Sequence, residues 1–371
     1  MEKSGADAVL IASNVNIYYT SGRFYRGYCY IPLDADPIWF VIKPSVYEAS
    51  AQVDYIRKPE QIAEMLERKN YPLPKHVGLE FEDLSYSDVE RLMKIFSGSE
   101  FLNASALLKR SRMIKTEWEI SQMKEDGVHQ SRSYAKLKDC YKPGMTDLGL
   151  QIELERELRY EGALGVSRVA GNLMEINMGS VISGENADNP GPYEFTMTGS
   201  GVHPSLPVGA DNHEILAGQA VMIDMNGAFN GYQTDMTRVW ALGELPELAL
   251  RAHECSIKIL RYLEKNSRPG IAVSSLYFMA MEIVREDGLE EYFMGHSSQV
   301  GFIGHGVGIQ LNELPVVMAK SKDILEKNMT IALEPKFVIP QVGAVGIENT
   351  YRVTDEGLEN LTVFPEKIGQ L

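Results

Sequence analysis

VMIDMNGAFNGYQTDMTR, residues 221–238, carries two aspartates eleven positions apart, one on each side of an Asn-Gly pair. Asn-Gly between apolar runs is the strongest short-range signal for a two-residue hairpin turn. If Asn230-Gly231 is that turn, Phe229 pairs with Tyr232 and Asp224 faces Thr237. Asp235 is then the diagonal neighbour of Asp224 on the same face, because side chains alternate across a strand. A register shifted by one residue at each end sets the two aspartates directly opposite. In either case they converge, with β-carbons within roughly 5 to 8 Å. Val221, Met222 and Ile223 mark the strand as apolar. Two like charges on one buried face repel and lose hydration unless something positive lies between them. A metal ion is the simplest such group.

The whole chain suits a globular enzyme. With 371 residues it exceeds the size at which one hydrophobic core usually stops growing, so two domains are expected. Hydrophobic residues make up 44% and charged residues 23%, which excludes a disordered or fibrous class. The formal net charge of -15 argues against a nucleic acid as partner. Cys29, Cys140 and Cys255 are too few and too scattered for a disulfide framework or a cysteine-rich zinc site. They fit a reducing compartment, and with no apolar run approaching the roughly 18 residues of a membrane span, a cytoplasmic location is expected. The chain enters its first strand at Ala8, which raises the expectation that a preceding helix is missing from this sequence.

Residues 1–112 read as a small α/β domain. The runs AVLIA, NIYYTSG, GYCYIPL and PIWFVI are β-rich and separated by turn residues, Glu60 to Lys69 is helical in pattern, and HVGLEF and YSDVERLMKIF give a further strand and helix. At Thr116 the sequence TEWE forms a capping box, with Glu119 three residues on, and opens a long helix with Ile120 and Met123 on one face. That helix begins a second domain, residues 113–371.

The second domain contains a repeat. YKPGMTDLGLQIELERELRYEG (141–162) aligns with NSRPGIAVSSLYFMAMEIVREDG (266–288), and in each copy Pro-Gly gives a turn, a polar residue can start a helix and Gly can end it. After the first copy comes the aspartate hairpin. After the second comes MTIALEPKFVIPQVGAVGIENTYRV, in which Glu334 and Glu348 occupy positions comparable to Asp224 and Asp235. Each half thus supplies a pair of acids from a strand, turn and strand. GFIGHGVGIQLNELP (301–315) adds His305 between glycines that let backbone and metal approach closely. Asp224, Asp235, His305, Glu334 and Glu348 make an oxygen-rich set with one imidazole, suited to two divalent ions.

In order and spacing, IDMNG, GYQTDMTR, GHGVG followed by NELP, LEP and GIENT resemble the five-ligand signature of the pita-bread metallopeptidases, which include methionine aminopeptidases, Xaa-Pro aminopeptidases and prolidases, with creatinase as a metal-free relative. NIYYTSG and the α/β domain around it resemble the creatinase-type N-terminal domain of the proline-directed branch. The resemblance implies an α/β (α+β) fold: a creatinase-like N-terminal domain followed by a pita-bread catalytic domain with a pseudo-two-fold repeat. It implies two divalent ions, manganese first, with cobalt, zinc or iron as alternatives. Asp224 and Glu348 would bridge them, His305 and Glu334 would complete one ion and Asp235 the other. A metal-bridging hydroxide would attack the scissile carbonyl, with Glu334 as the catalytic proton shuttle. A short, proline-containing peptide as substrate and a homodimer follow from the same resemblance.

The departures from the family pattern are specific. Where those peptidases carry LPH this chain has LPV, ending in Val208; where they carry HE it has Asn312-Glu313; where the proline-directed enzymes show Arg-Ile-Glu it has Gly346-Ile347-Glu348. Val208, Asn312 and Tyr232 are therefore the candidate substrate positions, and Tyr232 and Arg238 either touch substrate or brace the hairpin. His203, His213 and His296 are candidates to replace a missing imidazole in space. The leading expectation is a metal-dependent aminopeptidase or dipeptidase cleaving Xaa-Pro bonds. The alternatives are a non-peptide C–N hydrolase of the creatinase type and a silent module that binds a peptide or protein.

Overall fold

A computed structural model describes residues 1, 4–44, 50–171 and 176–371. The described chain divides into two compact units, Met1–Arg112 and Met113–Leu371. In the first, a six-stranded mixed sheet runs in the order Val53–Tyr55, Ile38–Lys43, Arg26–Pro32, Ala8–Ile11, His76–Leu79, Glu100–Asn103. Strand alternation explains its two cores: Ala8 and Leu10 pack on one face with Tyr30, Phe40 and Leu79, while Val9 and Ile11 pack on the other with Ile17, Cys29 and Val41.

One expected strand is a helix. Asn14–Ser21, which contains most of NIYYTSG, is α-helical despite its β-branched and aromatic residues. The local caps outweigh propensity here. The Ser13 side chain accepts from the Asn16 amide, and Gly22 ends the helix in the left-handed region. The buried Glu80 carboxylate adds a third anchor, accepting from the Ala12 and Ser13 amides at 2.6 and 2.8 Å and from the Asn16 side chain at 2.6 Å.

The second unit opens with helix Glu117–Ala135, and the Thr116/Glu119 capping box forms as the TEWE motif requires. Ile120 and Met123 are buried on one face of that helix. The two sequence repeats become helices Asp147–Tyr160 and Val273–Asp287, each preceded by a Pro-Gly turn whose glycine, Gly144 or Gly270, has positive φ. The polar start holds only in the first copy, where Thr146 caps the Gly149 amide; in the second the N-cap is Ala272, with no side-chain cap.

Each repeat helix belongs to a half built on its own sheet. The first sheet runs Gly369–Gln370, Thr234–Ala241, Ala220–Gly227, Gly179–Ser183. The second runs Glu313–Met318, Phe302–Gly306, Thr330–Leu333, Asn349–Val353, Leu358–Asn360, and a separate hairpin pairs Lys336–Ile339 with Gly343–Gly346. Each half packs its own apolar core, around Leu150, Leu154 and Ile223 in the first and Ile259, Leu276 and Ile331 in the second. The halves meet where the Glu348 amide donates to the Thr237 carbonyl at 3.2 Å, so both acid-bearing hairpins open into one cleft.

The tip of the aspartate hairpin is tied to the long opening helix. Asn230 donates to the Gln122 carbonyl at 3.0 Å, and the buried Asp126 carboxyl accepts from the Phe229 amide at 3.4 Å while its Oδ1 has no partner. Burial pushes the Asp126 carboxyl up to about 8. A raised folded-state pKa contributes stability that is complete below the ordinary carboxylate range and lost as pH rises through the folded value. Asp126→Asn keeps a neutral acceptor for Phe229. Thermal melts should therefore show little difference from wild type near about pH 5 and a higher melting temperature for the variant near about pH 9. A variant less stable than wild type at the higher pH would show that the ionised carboxylate is what the fold uses.

Candidate metal centre

The strands stop pairing at Gly227 and Thr234, so residues 228–233 form a longer loop instead of the expected two-residue turn. Phe229 does not pair with Tyr232, because their amides donate to Asp126 and to Asn230 Oδ1. The register is nonetheless the one parity requires, with Asp224 paired to Thr237 and Asn226 to Asp235 and the two aspartates diagonal on one face. Asp235 is pinned through its backbone, since its amide donates to Thr350 Oγ1 at 2.8 Å and its carbonyl accepts from the same hydroxyl at 2.9 Å. Thr237, opposite Asp224, donates to Glu348 Oε2 at 2.7 Å and so links the two hairpins.

Glu334 and Glu348 sit at an interruption in the other hairpin. Leu333 pairs with Asn349 on one side of it and Lys336 with Gly346 on the other, and the shared register places Glu334 across from Glu348. Pro335 cannot donate to the ladder, and its position marks where the strands leave the large sheet for the small one. His305 lies on the neighbouring strand, opposite Ala332. Its flanking glycines are required by close packing: a β-carbon on Gly304 would lie 2.2 Å from the Ala332 carbonyl oxygen and one on Gly306 2.0 Å from that of Leu314. His305 Nδ1 donates to the Gly306 carbonyl at 3.0 Å, which turns Nε2 into the cleft, 3.8 Å from Asp235 Oδ2 and 3.7 Å from Glu334 Oε1.

The fold thus brings all five expected ligands together, but groups them differently from the family-based division. One triad is Asp235, His305 and Glu348; the other is Asp224, Glu334 and Glu348; in each, the ligand atoms lie within 4.8 Å of one another. Glu348 belongs to both triads. Asp224 belongs to one, and Asp235 to the one that contains His305.

A residue outside the expected ligand set stands among the carboxylates of the second triad. Lys336 Nζ lies 2.8 Å from Asp224 Oδ2, 2.9 Å from Glu334 Oε2 and 3.0 Å from Glu348 Oε2, with Lys336 entirely buried. Burial alone would depress its pKa, but Asp224, Glu334 and Glu348 outweigh it and hold the ammonium well above the usual lysine range. The signal is present in LEPKFVI: Lys336 is two residues from Glu334 and so shares its face, in a segment otherwise apolar on both sides.

Among the described residues, the Asp235 side of the cleft has no such cation. Asp235 Oδ1 and Glu348 Oε1 are buried without hydrogen-bond partners among the described residues. Burial first, then the neighbouring carboxylates, push both groups well above the usual carboxylate range. Two orphaned oxygens beside a free imidazole nitrogen fit a divalent ion, which would be held by Asp235, His305 and Glu348 with Glu334 alongside.

A cavity of about 90 Å³ adjoins this cluster. Val208 is in its wall, with Phe195, Phe302 and Leu311. Asn312 also lines it, yet its amide is engaged, accepting from the Ala170 amide at 2.6 Å and donating to the Ala170 carbonyl at 3.0 Å. It positions the 168–171 segment. Tyr232, by contrast, is outside the cavity: its hydroxyl donates to Glu119 at 3.0 Å and its ring meets Trp118 edge to face. It braces the hairpin. Arg238 does the same, donating to the carbonyls of Thr237 and Glu348, both at 2.8 Å, and to Asn349 Oδ1 at 2.8 Å. Glu313 is buried against Lys115 at 3.1 Å. None of His203, His213 and His296 lines the cavity; they bond to Ser205, Asp211 and Asp188. Thr196, which donates to Glu334, and Asn226, on the Asp224 face, are cavity residues that carry no distinguishing signal in the sequence.

Comparison with known proteins gives the same assignment from end to end. Residues 121–355 match the model of metallopeptidase family M24, and residues 1–114 match the Creatinase/Prolidase N-terminal domain. The chain belongs to metallopeptidase family M24. It is 28% identical over 368 residues to the Xaa-Pro dipeptidase of Pyrococcus furiosus, spanning 98% of this chain and 95% of that one. The solved prolidase of Pyrococcus horikoshii superposes with a TM-score of 0.80 at 25% identity, covering 99% and 97%. The X-Pro aminopeptidase structure from Thermotoga maritima, at 22% identity and a TM-score of 0.82 over 100% and 99%, shares the fold. This M24 chain therefore has the two-domain, pita-bread architecture of a metallopeptidase hydrolase that uses divalent metal.

In the metal-free M24 protein, Lys336 is the counter-ion of three carboxylates. Lys336→Met keeps the length of the side chain and removes the charge, and breaking a buried ion pair from one side costs about 3–5 kcal/mol. Urea unfolding after chelation should show that loss near about pH 8 and a smaller one near about pH 5, where Glu348, pushed upward by burial, is protonated and less charge is left uncompensated. Equal stability of variant and wild type at the higher pH would mean the ammonium is not the compensating charge.

Proposed function

We propose that this protein is a divalent-metal-dependent aminopeptidase or dipeptidase that hydrolyses Xaa-Pro bonds in short peptides, with manganese as its ion. The observation that carries the reading is the convergence of Asp235, His305, Glu348 and Glu334 beside a small, largely apolar cavity. A bound ion would supply Lewis acidity to a carbonyl and lower the pKa of a water molecule.

The chain's own residues supply the rest. Glu334 Oε2 is held by Thr196 and Lys336, which leaves Oε1, the oxygen facing His305, to take a proton from water and deliver it to the leaving nitrogen. Phe195, Val208, Phe302 and Leu311 exclude water and suit a compact ring such as proline. Glu194, exposed at the rim, offers a negative charge to a peptide's α-ammonium. The names of the Pyrococcus relatives support the proline preference.

The test is hydrolysis of a dipeptide panel by manganese-loaded protein. Xaa-Pro dipeptides should be cleaved in preference to their Xaa-Ala counterparts, and Asp235→Asn should lose more than the roughly 10–100-fold typical of changes that only touch a ligand's neighbours. Bound metal without cleavage of any peptide would move the assignment to a small-molecule C–N hydrolase, the reading that Val208 and Asn312 would then favour. Three buried, unpaired cysteines support a cytoplasmic location, and no helix among the described residues is long and apolar enough to cross a membrane. A homodimer is part of the same proposal: sedimentation should give twice the 41.5 kDa chain mass, and a single-chain mass would overturn it.

A further inference from the structure

We propose that the ammonium of Lys336 permanently occupies one of the two cation positions, so that this centre binds a single divalent ion, between Asp235, His305 and Glu348. The inference rests on the reading of the cleft as a metal centre and not on the identity of its substrate.

Lysine has three N–H donors and no acceptor. In this site each donor has a carboxylate oxygen of its own, one each from Asp224, Glu334 and Glu348, at 2.8 to 3.0 Å, with Thr196 Oγ1 at 3.3 Å. These are the three residues of the second ligand triad. The oxygens are spaced for N–H···O bonds, whereas a divalent ion in such a cage draws carboxylate oxygens to roughly 2.0–2.2 Å. An ion placed among them would lie within contact distance of the ammonium and be repelled by it.

The lysine has no route out. It lies in a strand paired with Gly346, its carbonyl accepts from the Met294 amide at 2.8 Å, and the residue has no exposed surface. The uncompensated atoms are also one-sided. Of the two buried carboxylate oxygens of the cluster that lack partners among the described residues, Asp235 Oδ1 belongs only to the triad that contains His305. Glu348 Oε1 is on the residue the triads share, whose other oxygen, Oε2, is the one that accepts from Lys336 and Thr237. The demand for a further cation is confined to that pole.

An ammonium neutralises and orients carboxylates as a metal ion does, but it offers no vacant coordination position. Asp224 thereby becomes a holder of Lys336 instead of a metal ligand, and Lys336 fixes Glu334 Oε2 so that Oε1 faces His305.

The experiment is metal stoichiometry on the full chain, saturated with manganese and freed of excess, by elemental analysis and electron paramagnetic resonance. Wild type should hold about one ion with the six-line spectrum of isolated manganese, and Lys336→Ala, which vacates the position, should rise to about two with the spectrum of a coupled pair. Lys336→Arg, which keeps a cation, should stay at about one ion, and circular dichroism establishes that each variant is folded. If Lys336→Ala does not fold, the wild-type stoichiometry and spectrum decide alone. About two ions with a coupled spectrum in wild type would overturn the inference while leaving the peptidase reading intact. One ion without peptide cleavage would support the inference and overturn the peptidase reading. No bound manganese in wild type would overturn both.

Discussion

Four carboxylates from two hairpins meet in a largely buried cleft, and the fold of the second unit depends on neutralising them. Asp235, Glu334 and Glu348 are buried, and Asp224 is partly exposed. Left alone, four such groups would repel one another or take up protons, and the strands that carry them would separate. Lys336 answers part of that repulsion from within the chain. The remainder falls on the Asp235 side, where carboxyl groups pushed well above their usual range describe a site waiting for positive charge.

The carboxylates also need a rigid frame, because a metal-binding geometry is lost with small displacements. Arg238 supplies much of it. The guanidinium is buried between the two hairpins and donates to backbone carbonyls on both, at Thr237 and Glu348, as well as to the carbonyls of Phe364 and Pro365 in the C-terminal segment. A planar cation with five fixed donors can satisfy that many acceptors at once, and a lysine could not. The C-terminal segment is thus part of the clamp that keeps Glu348 against Thr237.

How much of this is legible in the sequence follows from which constraints are local. The register of the aspartate hairpin is, because a loop centred on Asn230-Gly231 and the parity of the strands give the Asp224–Thr237 pairing, although the connection over residues 228–233 is longer than the two-residue turn the Asn-Gly pair suggests. The capping box at Thr116 is legible for the same reason. NIYYTSG is not: its propensity is for strand, and the helix there depends on Glu80, which is more than sixty residues away in sequence and caps it from the sheet. Tyr232 adjoins the ligands in sequence and so reads as a substrate residue, yet its direction is set by Glu119 on another element. Lys336 is not a ligand type, so a pattern of metal-binding residues passes it by, although its parity with Glu334 already places it on the site face.

The substitutions around the cleft have a common physical direction. Val208 gives the cavity wall an apolar side chain where the family pattern has an imidazole, and the Asn312 amide is spent on the backbone of Ala170. At Gly346, directly across from Lys336, a β-carbon would lie 2.7 Å from the Pro335 carbonyl oxygen and 3.0 Å from the Lys336 α-carbon, so the arginine of the proline-directed pattern has no room in this backbone. At these three positions the family's basic groups are replaced by uncharged ones, while a buried cation stands among the carboxylates. His305 is then the one imidazole among the described residues lining the cavity, and its Nδ1 is committed to a carbonyl. Glu334 Oε1 is then the carboxylate oxygen that faces His305 while its partner oxygen is fixed by Lys336 and Thr196, the arrangement on which the proposed proton transfer rests.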